Sequence, residues 1–203
     1  MKKYFKIVLF FFMMISFSFV SKKNNEIVIV IDASHGGKDF GSNNKGFSEK
    51  AIVASISKKI KDLNSDSEII IRFTRTDDEN LTLLERVNIV NEIKPDLFIS
   101  LHINNSKNPT INGYEVYICD KSTTLDKSKV LANRLINSFS SSFPLENRGL
   151  KTAQFLVLKK SEVPSILIEL GYLSNEFDRN YLTDDQNQNE IAKKILEFIG
   201  SLK

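Results

Sequence analysis

Short runs of Ile, Val, Leu and Phe alternate along this chain with longer stretches whose apolar residues recur at helical spacing, and that alternation admits few architectures. Runs at 26–32, 68–73, 96–101, 113–118, 153–158 and 165–170 are the strand candidates. Strands apolar at nearly every position need cover on both faces, which helices over a parallel sheet provide. Between them Ile52, Ile56, Ile60 and Leu63 mark one helix, and Leu83, Val87, Val90 and Ile93 a second. The second opens on Thr82-Leu-Leu-Glu85, a capping box that gives Glu85 a structural task, and stops before Pro95. A third helix is expected over roughly 125–143, ending at Pro144, and a last one carries Ile191, Ile195, Leu196 and Ile199. The expectation is an α/β fold in a single domain, with a mostly parallel, six-stranded mixed sheet and helices on both faces.

The first 23 residues stand apart. Lys2, Lys3 and Lys6 precede an apolar stretch from Ile7 to Val20, with small residues near Ser18 and Ser21. An apolar stretch of about 14 residues behind a basic start fits a cleavable export signal better than a spanning helix, which needs about 20. An uncleaved anchor is the alternative. The expected organisation is therefore a signal peptide over 1–23 and a folded domain over 24–203 with no membrane span. Without the leader, Lys+Arg falls from 28 to 23 against 25 Asp+Glu, so +3 becomes −2. The basic charge belongs to the leader, and nucleic acid is not an expected partner. The single cysteine, Cys119, cannot form an internal disulfide and reads as a buried structural residue.

Both histidines of the chain directly follow apolar runs: Ile-Val-Ile-Val-Ile-Asp-Ala-Ser-His35 and Asp-Leu-Phe-Ile-Ser-Leu-His102. In open α/β sheets the carboxyl ends of the strands border the ligand crevice, so two such imidazoles can converge on one point, and imidazole is a common metal ligand. A carboxylate, Glu169, interrupts the run Ser165-Ile-Leu-Ile-Glu169-Leu. Burial there suits either a general acid/base with a raised pKa or an ion pair with Arg148 or Arg72. The segment His35-Gly36-Gly37-Lys38-Asp39-Phe40-Gly41 is a turn that lets the backbone pass close to an ion or substrate, and it lacks the order of a phosphate loop. It leads to Glu49 in the first turn of the next helix, where an acidic residue, taken alone, is more often a partner of the helix dipole than a ligand.

Taken together, Asp32-Ala-Ser-His35-Gly-Gly, Gly46-Phe-Ser-Glu49-Lys50, Thr74-Arg75, Leu83-Leu-Glu-Arg86 with Val90-Asn91, Ser100-Leu-His102-Ile-Asn104-Asn, Arg148-Gly-Leu-Lys151 and Ile168-Glu169-Leu-Gly-Tyr-Leu-Ser-Asn175 resemble, in order, the motifs of the zinc-dependent N-acetylmuramoyl-L-alanine amidases called amidase 3. The resemblance covers nearly all of 26–200. It implies a zinc site made by His35, Glu49 and His102, with Glu169 as the catalytic acid/base. Two His and one Glu leave a fourth position for water, as catalytic zinc sites do, and Cys119 has no neighbour in sequence with which to close a structural site. It further implies hydrolysis of the amide joining the lactyl group of N-acetylmuramic acid to L-alanine in peptidoglycan, in wall remodelling, cell separation or autolysis. Asn104 and Arg148 are the substrate-binding candidates. A zinc peptidase acting on another wall peptide, and a catalytically silent peptidoglycan-binding regulator, are the alternatives.

Departures from the pattern are few. Ala33-Ser34 replace Pro-Gly before the first His, and Ile103 and Asn105 replace small residues beside Asn104, which predicts a tighter or more polar rim. The stretch between Cys119 and Ala153 suits one connecting helix rather than the blocking helix that some relatives insert there. Peptidoglycan is the expected partner, with an activator protein left open. The absence of wall-binding repeats points to export into a periplasm rather than to the outside medium.

Overall fold

The structure, a computed structural model, describes residues 26–140 and 143–203. The export signal expected over 1–23 lies outside the described residues. Among those described, no helix is long and apolar enough to cross a membrane.

In chain order the elements are β1 (Ile27–Ala33), β2 (Asn43–Asn44), β3 (Phe47–Ser48), α1 (Glu49–Leu63), β4 (Ile69–Phe73), α2 (Leu83–Ile93), β5 (Leu97–Asn104), β6 (Tyr114–Ile118), α3 (Leu125–Ser140), β7 (Asn147–Thr152), α4 (Leu156–Lys160), β8 (Ser165–Tyr172), α5 (Glu176–Thr183) and α6 (Asp185–Gly200). β2 and β3 form a small ribbon, and the other six strands form one sheet in the order β4-β1-β5-β8-β6-β7. All neighbours in it run parallel except β6, which is antiparallel to β8. This is the mixed, mostly parallel sheet that the apolar runs predicted.

One strand differs from expectation. Residues 153–158 are not a strand: the chain turns there into α4, and the sixth strand is β7, just upstream. The apolar run is real, because Val157 and Leu158 are buried, but a single helical turn buries such a pair as well as a strand does. β7 lies at the sheet edge, partly exposed along its length, so its sequence carries no apolar run to reveal it. The third helix is described as far as Ser140, and the Phe143 N–H donates to Phe139 O at 2.8 Å.

Period-two alternation gives the sheet two unequal faces. Ile29, Ile31, Ile99, Leu101, Val116, Ile166 and Ile168 enter the larger core, packed with α1, α3 and α6. Val30, Phe98, Cys119 and Leu167 enter a smaller one, covered only by the short helices α2 and α4 through Val87, Val90, Val157 and Leu158. Cys119 is buried there as a free thiol, as expected. The same alternation carries His102 and Glu169, directly paired across β5 and β8, onto the thinly covered face. Glu115 on β6, paired with Glu169 from the other side, joins them. Helix α2 is held at its start by the expected capping box, in which Thr82 Oγ1 accepts from the Glu85 N–H and Glu85 Oε2 accepts from the Thr82 N–H.

Candidate active site

At the carboxyl end of β1 the chain turns sharply, and His35 sits in the left-handed region at φ +61°. Such a conformation costs of the order of 1 kcal/mol or more for a residue with a Cβ, and persists only where neighbours fix it. Here two arginines fix it. Arg75 Nε donates to Ala33 O at 2.7 Å and its Nη2 to Ser34 O, while Arg86 Nη2 donates to His35 O at 2.6 Å. Arg86 Nη1 bonds Asp32 Oδ1 at 2.5 Å, and Asp32 also accepts from Thr74 and Ser100. This buried network lies directly beneath the turn, and its members sit on β1, α2 and β5 and just past the end of β4. Sequence reading named Arg86 and Thr74 only as parts of motifs and assigned them no task.

The turn aims His35 at Glu49. His35 Nδ1 lies 2.7 Å from Asp39 Oδ2, and its Nε2 lies 3.1 Å from Glu49 Oε1. From the other side His102 Nδ1 lies 2.9 Å from the same oxygen. The two imidazole rings meet edge to face, with centroids 5.2 Å apart. Each of the three residues offers one ligand atom, and these atoms lie within 4.8 Å of one another, so the cluster could hold a metal ion. Residues separated by 14 and 53 positions in the chain are thus brought together. Glu49 is buried, and its oxygens are further held by the N–H groups of Ser42 and Ile103 and by the Ser34 hydroxyl. Burial works against its charge, but the bonds and charges of His102 and His35 outweigh that and hold the carboxyl well below its usual range. A partner of the helix dipole would face solvent; Glu49 faces the two imidazoles.

Gly41 forms the remaining wall, at φ +62°. A Cβ there would stand 2.5 Å from Glu49 Oε2 and 2.6 Å from His35 Cδ2. Gly41→Ala is accordingly expected to push the donors apart and lower metal affinity or activity by about 10- to 100-fold. Gly46→Ala, also at positive φ but with open space around the added methyl, is the control for backbone strain alone. Comparing the activity of the two folded variants checks this.

Glu169 stands across the sheet from His102, and its Oε2 is buried with no hydrogen-bond partner. Burial pushes its carboxyl up to about 7, with the charges of Glu49 and Glu115 adding to the effect and those of His102 and His35 opposing it. The ion pair with Arg148 or Arg72 does not form. Arg148 bonds Glu115 instead, and Arg72 is exposed on the far strand β4. Asn104, the other substrate-binding candidate, also turns to Glu115. Glu115 is therefore the residue that sequence reading missed. It accepts from Lys151, Tyr117, Tyr172 and Arg148, and these bonds overcome burial to hold its carboxyl at about 2. The signal that could have found it is the one that marked Glu169, a carboxylate inside an apolar strand.

The rim differs from the expectation in one respect. Ile103 points into the larger core on the opposite face and offers the site only its N–H, so its bulk does not narrow the opening; Asn105 is exposed. Ser34, which stands where the pattern has Gly, is buried with its hydroxyl 3.4 Å from Glu49 Oε1. A cleft of ≈ 220 Å³ opens beside His35 and His102, with Leu83 and Val157 also in its lining.

A profile of amidase 3, described as N-acetylmuramoyl-L-alanine amidase, matches residues 29–201. This chain belongs to that family. The amidase reading of the sequence is borne out with it, as is the α/β fold. The protein YqiI of Bacillus subtilis is 33% identical over 173 residues, covering 85% of this chain and 83% of its own. The N-acetylmuramoyl-L-alanine amidase LytC of the same organism is 32% identical over 167 residues, covering 82% of this chain but 34% of its own length, so this chain spans about a third of that relative. Among solved structures, the catalytic domain of CwlV, an N-acetylmuramoyl-L-alanine amidase from Bacillus (Paenibacillus) polymyxa var. colistinus, superposes with a TM-score of 0.80 at 32% identity, over 87% of this chain and 97% of that one.

Proposed function

We propose that this amidase hydrolyses the amide between the lactyl group of N-acetylmuramic acid and L-alanine of the peptidoglycan stem peptide, with His35, Glu49 and His102 as zinc ligands and Glu169 as general acid/base. The observation that carries the reading is the convergence of three donor atoms within 4.8 Å beside a buried, unpartnered carboxylate oxygen. Two imidazoles and a carboxylate are the donor set of a catalytic zinc site, and the missing side chain at Gly41 leaves that space clear. Zinc held there supplies Lewis acidity, polarising the scissile carbonyl and acidifying the attacking water.

The remaining steps belong to side chains of this chain. Asp39 takes the Nδ1 side of His35, which orients the ring so that Nε2 is the atom presented to the cluster. Glu49, kept ionised, brings the negative charge that a dication requires. Glu169, with a carboxyl near neutrality, can accept a proton from water at one moment and deliver it to the departing amine at the next. No Ser or Cys nucleophile is needed, and both imidazoles are committed elsewhere. Residues 1–23 are proposed as an export signal on their sequence pattern, which places the enzyme outside the cytoplasmic membrane with its wall substrate.

Digestion of purified sacculi tests this reading. Free peptides beginning with L-alanine and intact glycan strands are expected, with release stopped by a chelator and restored by zinc. Peptides shortened at their carboxyl ends would show a peptidase instead, and release indifferent to chelation would remove the metal from the mechanism.

A further inference from the structure

Strand register lines up a row of charged groups that begins at the cluster and runs away from it. His102 pairs with Glu169, Glu169 pairs with Glu115, and β7, carrying Arg148 and Lys151, lies beyond. Glu115 is 1% exposed, and its Oε1 accepts from Arg148 Nε at 3.0 Å, Lys151 Nζ at 2.5 Å and the Tyr172 hydroxyl at 2.7 Å. Oε2 accepts from the Tyr117 hydroxyl at 2.7 Å and from Asn104. One cation would neutralise this carboxylate. Two are gathered on it, so the group as a whole keeps a positive charge.

The two cations also keep unused donors on the open side. The side chains of Arg148 and Lys151 remain 30% and 38% exposed. Arg148 Nε and Nη1 are engaged by Glu115 and the Asn112 carbonyl, while Nη2 has no hydrogen bond among the described residues. Lys151 spends one of its three donors on Glu115. Tyr172 and Tyr117 flank them, with ring centroids 5.8 and 6.0 Å from the respective charges, and limit their swing. A guanidinium and an ammonium so oriented match a carboxylate.

Position says which carboxylate. Adjacent strands lie about 4.8 Å apart, so β7 is roughly 10 Å from β8, and both cations lean back from β7 toward Glu115. An extended peptide advances about 3.4 Å per residue, which puts the cations within about two residues of an amide cut beside Glu169. On the sugar side of that amide there is no ionised group. On the peptide side, the second residue is a γ-linked glutamate, whose α-carboxyl is free in some walls and amidated in others.

We propose that Arg148 and Lys151, positioned by Glu115, form a subsite for the free α-carboxylate of the second stem-peptide residue, so that the enzyme distinguishes carboxylate from carboxamide there. The inference rests on the amidase reading above. It is tested with the zinc-loaded protein on two soluble muramoyl peptides identical except for carboxylate or carboxamide at that residue. Wild type is expected to favour the carboxylate by about tenfold or more in kcat/KM, mainly through KM, as the loss of a charge-assisted hydrogen bond would dictate. Arg148→Gln and Lys151→Gln should each bring the ratio toward one. Equal kcat/KM for the two substrates in wild type, or losses in the variants shared equally by both substrates, would overturn the subsite while leaving the amidase reading intact. Cleavage of neither substrate would overturn both.

Discussion

Glu169→Gln is expected to slow release of peptide from sacculi by about 100- to 10,000-fold, the range that a positioned acid/base contributes. The variant should fold, and the sign of the linkage says more. A carboxyl raised to about 7 binds its proton more tightly in the folded chain than in the unfolded one, so its ionisation destabilises the fold. The stability this group contributes is present at low pH and is lost as pH rises through about 7. Gln is isosteric and stays neutral. The metal-free variant should therefore unfold at a higher temperature than metal-free wild type above that pH, while its activity collapses. Opposite movements of rate and thermal midpoint separate a catalytic role from a structural one. Undiminished release by the variant would instead assign the proton transfer to some other group.

What could be read in the sequence followed burial. β1, β5 and β8 lie inside the sheet and are apolar at nearly every position, so their runs were legible, and with them the two histidines at or just beyond the strand ends. β7 was not, because an edge strand exposed along much of its length carries mixed residues, and 153–158 offered a rival run. Glu49 was legible only through the resemblance. On its own it is an acidic residue at a helix start, and what makes it a ligand candidate is a β1 turn that brings His35 to it. Glu115 shows the same limit from the other direction. Its sequence setting equals that of Glu169, but its meaning depends on an antiparallel pairing with β8 that reverses the direction of an otherwise parallel sheet, and register between distant strands is written in no local pattern.

The same dependence on distant partners makes Arg86 the most sensitive structural residue near the site. It is 2% exposed, and its guanidinium is shared between Asp32 Oδ1, Ala33 O and His35 O. Arg86→Met keeps the volume of the stem but takes from Asp32, 1% exposed, its ion-pair partner, leaving the hydroxyls of Thr74 and Ser100 as its side-chain hydrogen-bond donors among the described residues. Stranding one member of a buried pair costs about 3–5 kcal/mol. For a domain of this size that is a fall of about 6–20 °C in the thermal midpoint, at about 2–4 °C per kcal/mol. Asp32→Asn should cost less, since Arg86 keeps two carbonyls, and the double variant should recover part of the loss because no unpaired carboxylate remains. Activity separates the two tasks of this arginine. The double variant regains stability but not the bond from Arg86 to His35 O, so its imidazole is free to leave the left-handed turn and its activity should stay low. Recovery of both together would mean that Arg75 suffices to hold the turn at His35, and that the guanidinium of Arg86 serves only the charge of Asp32.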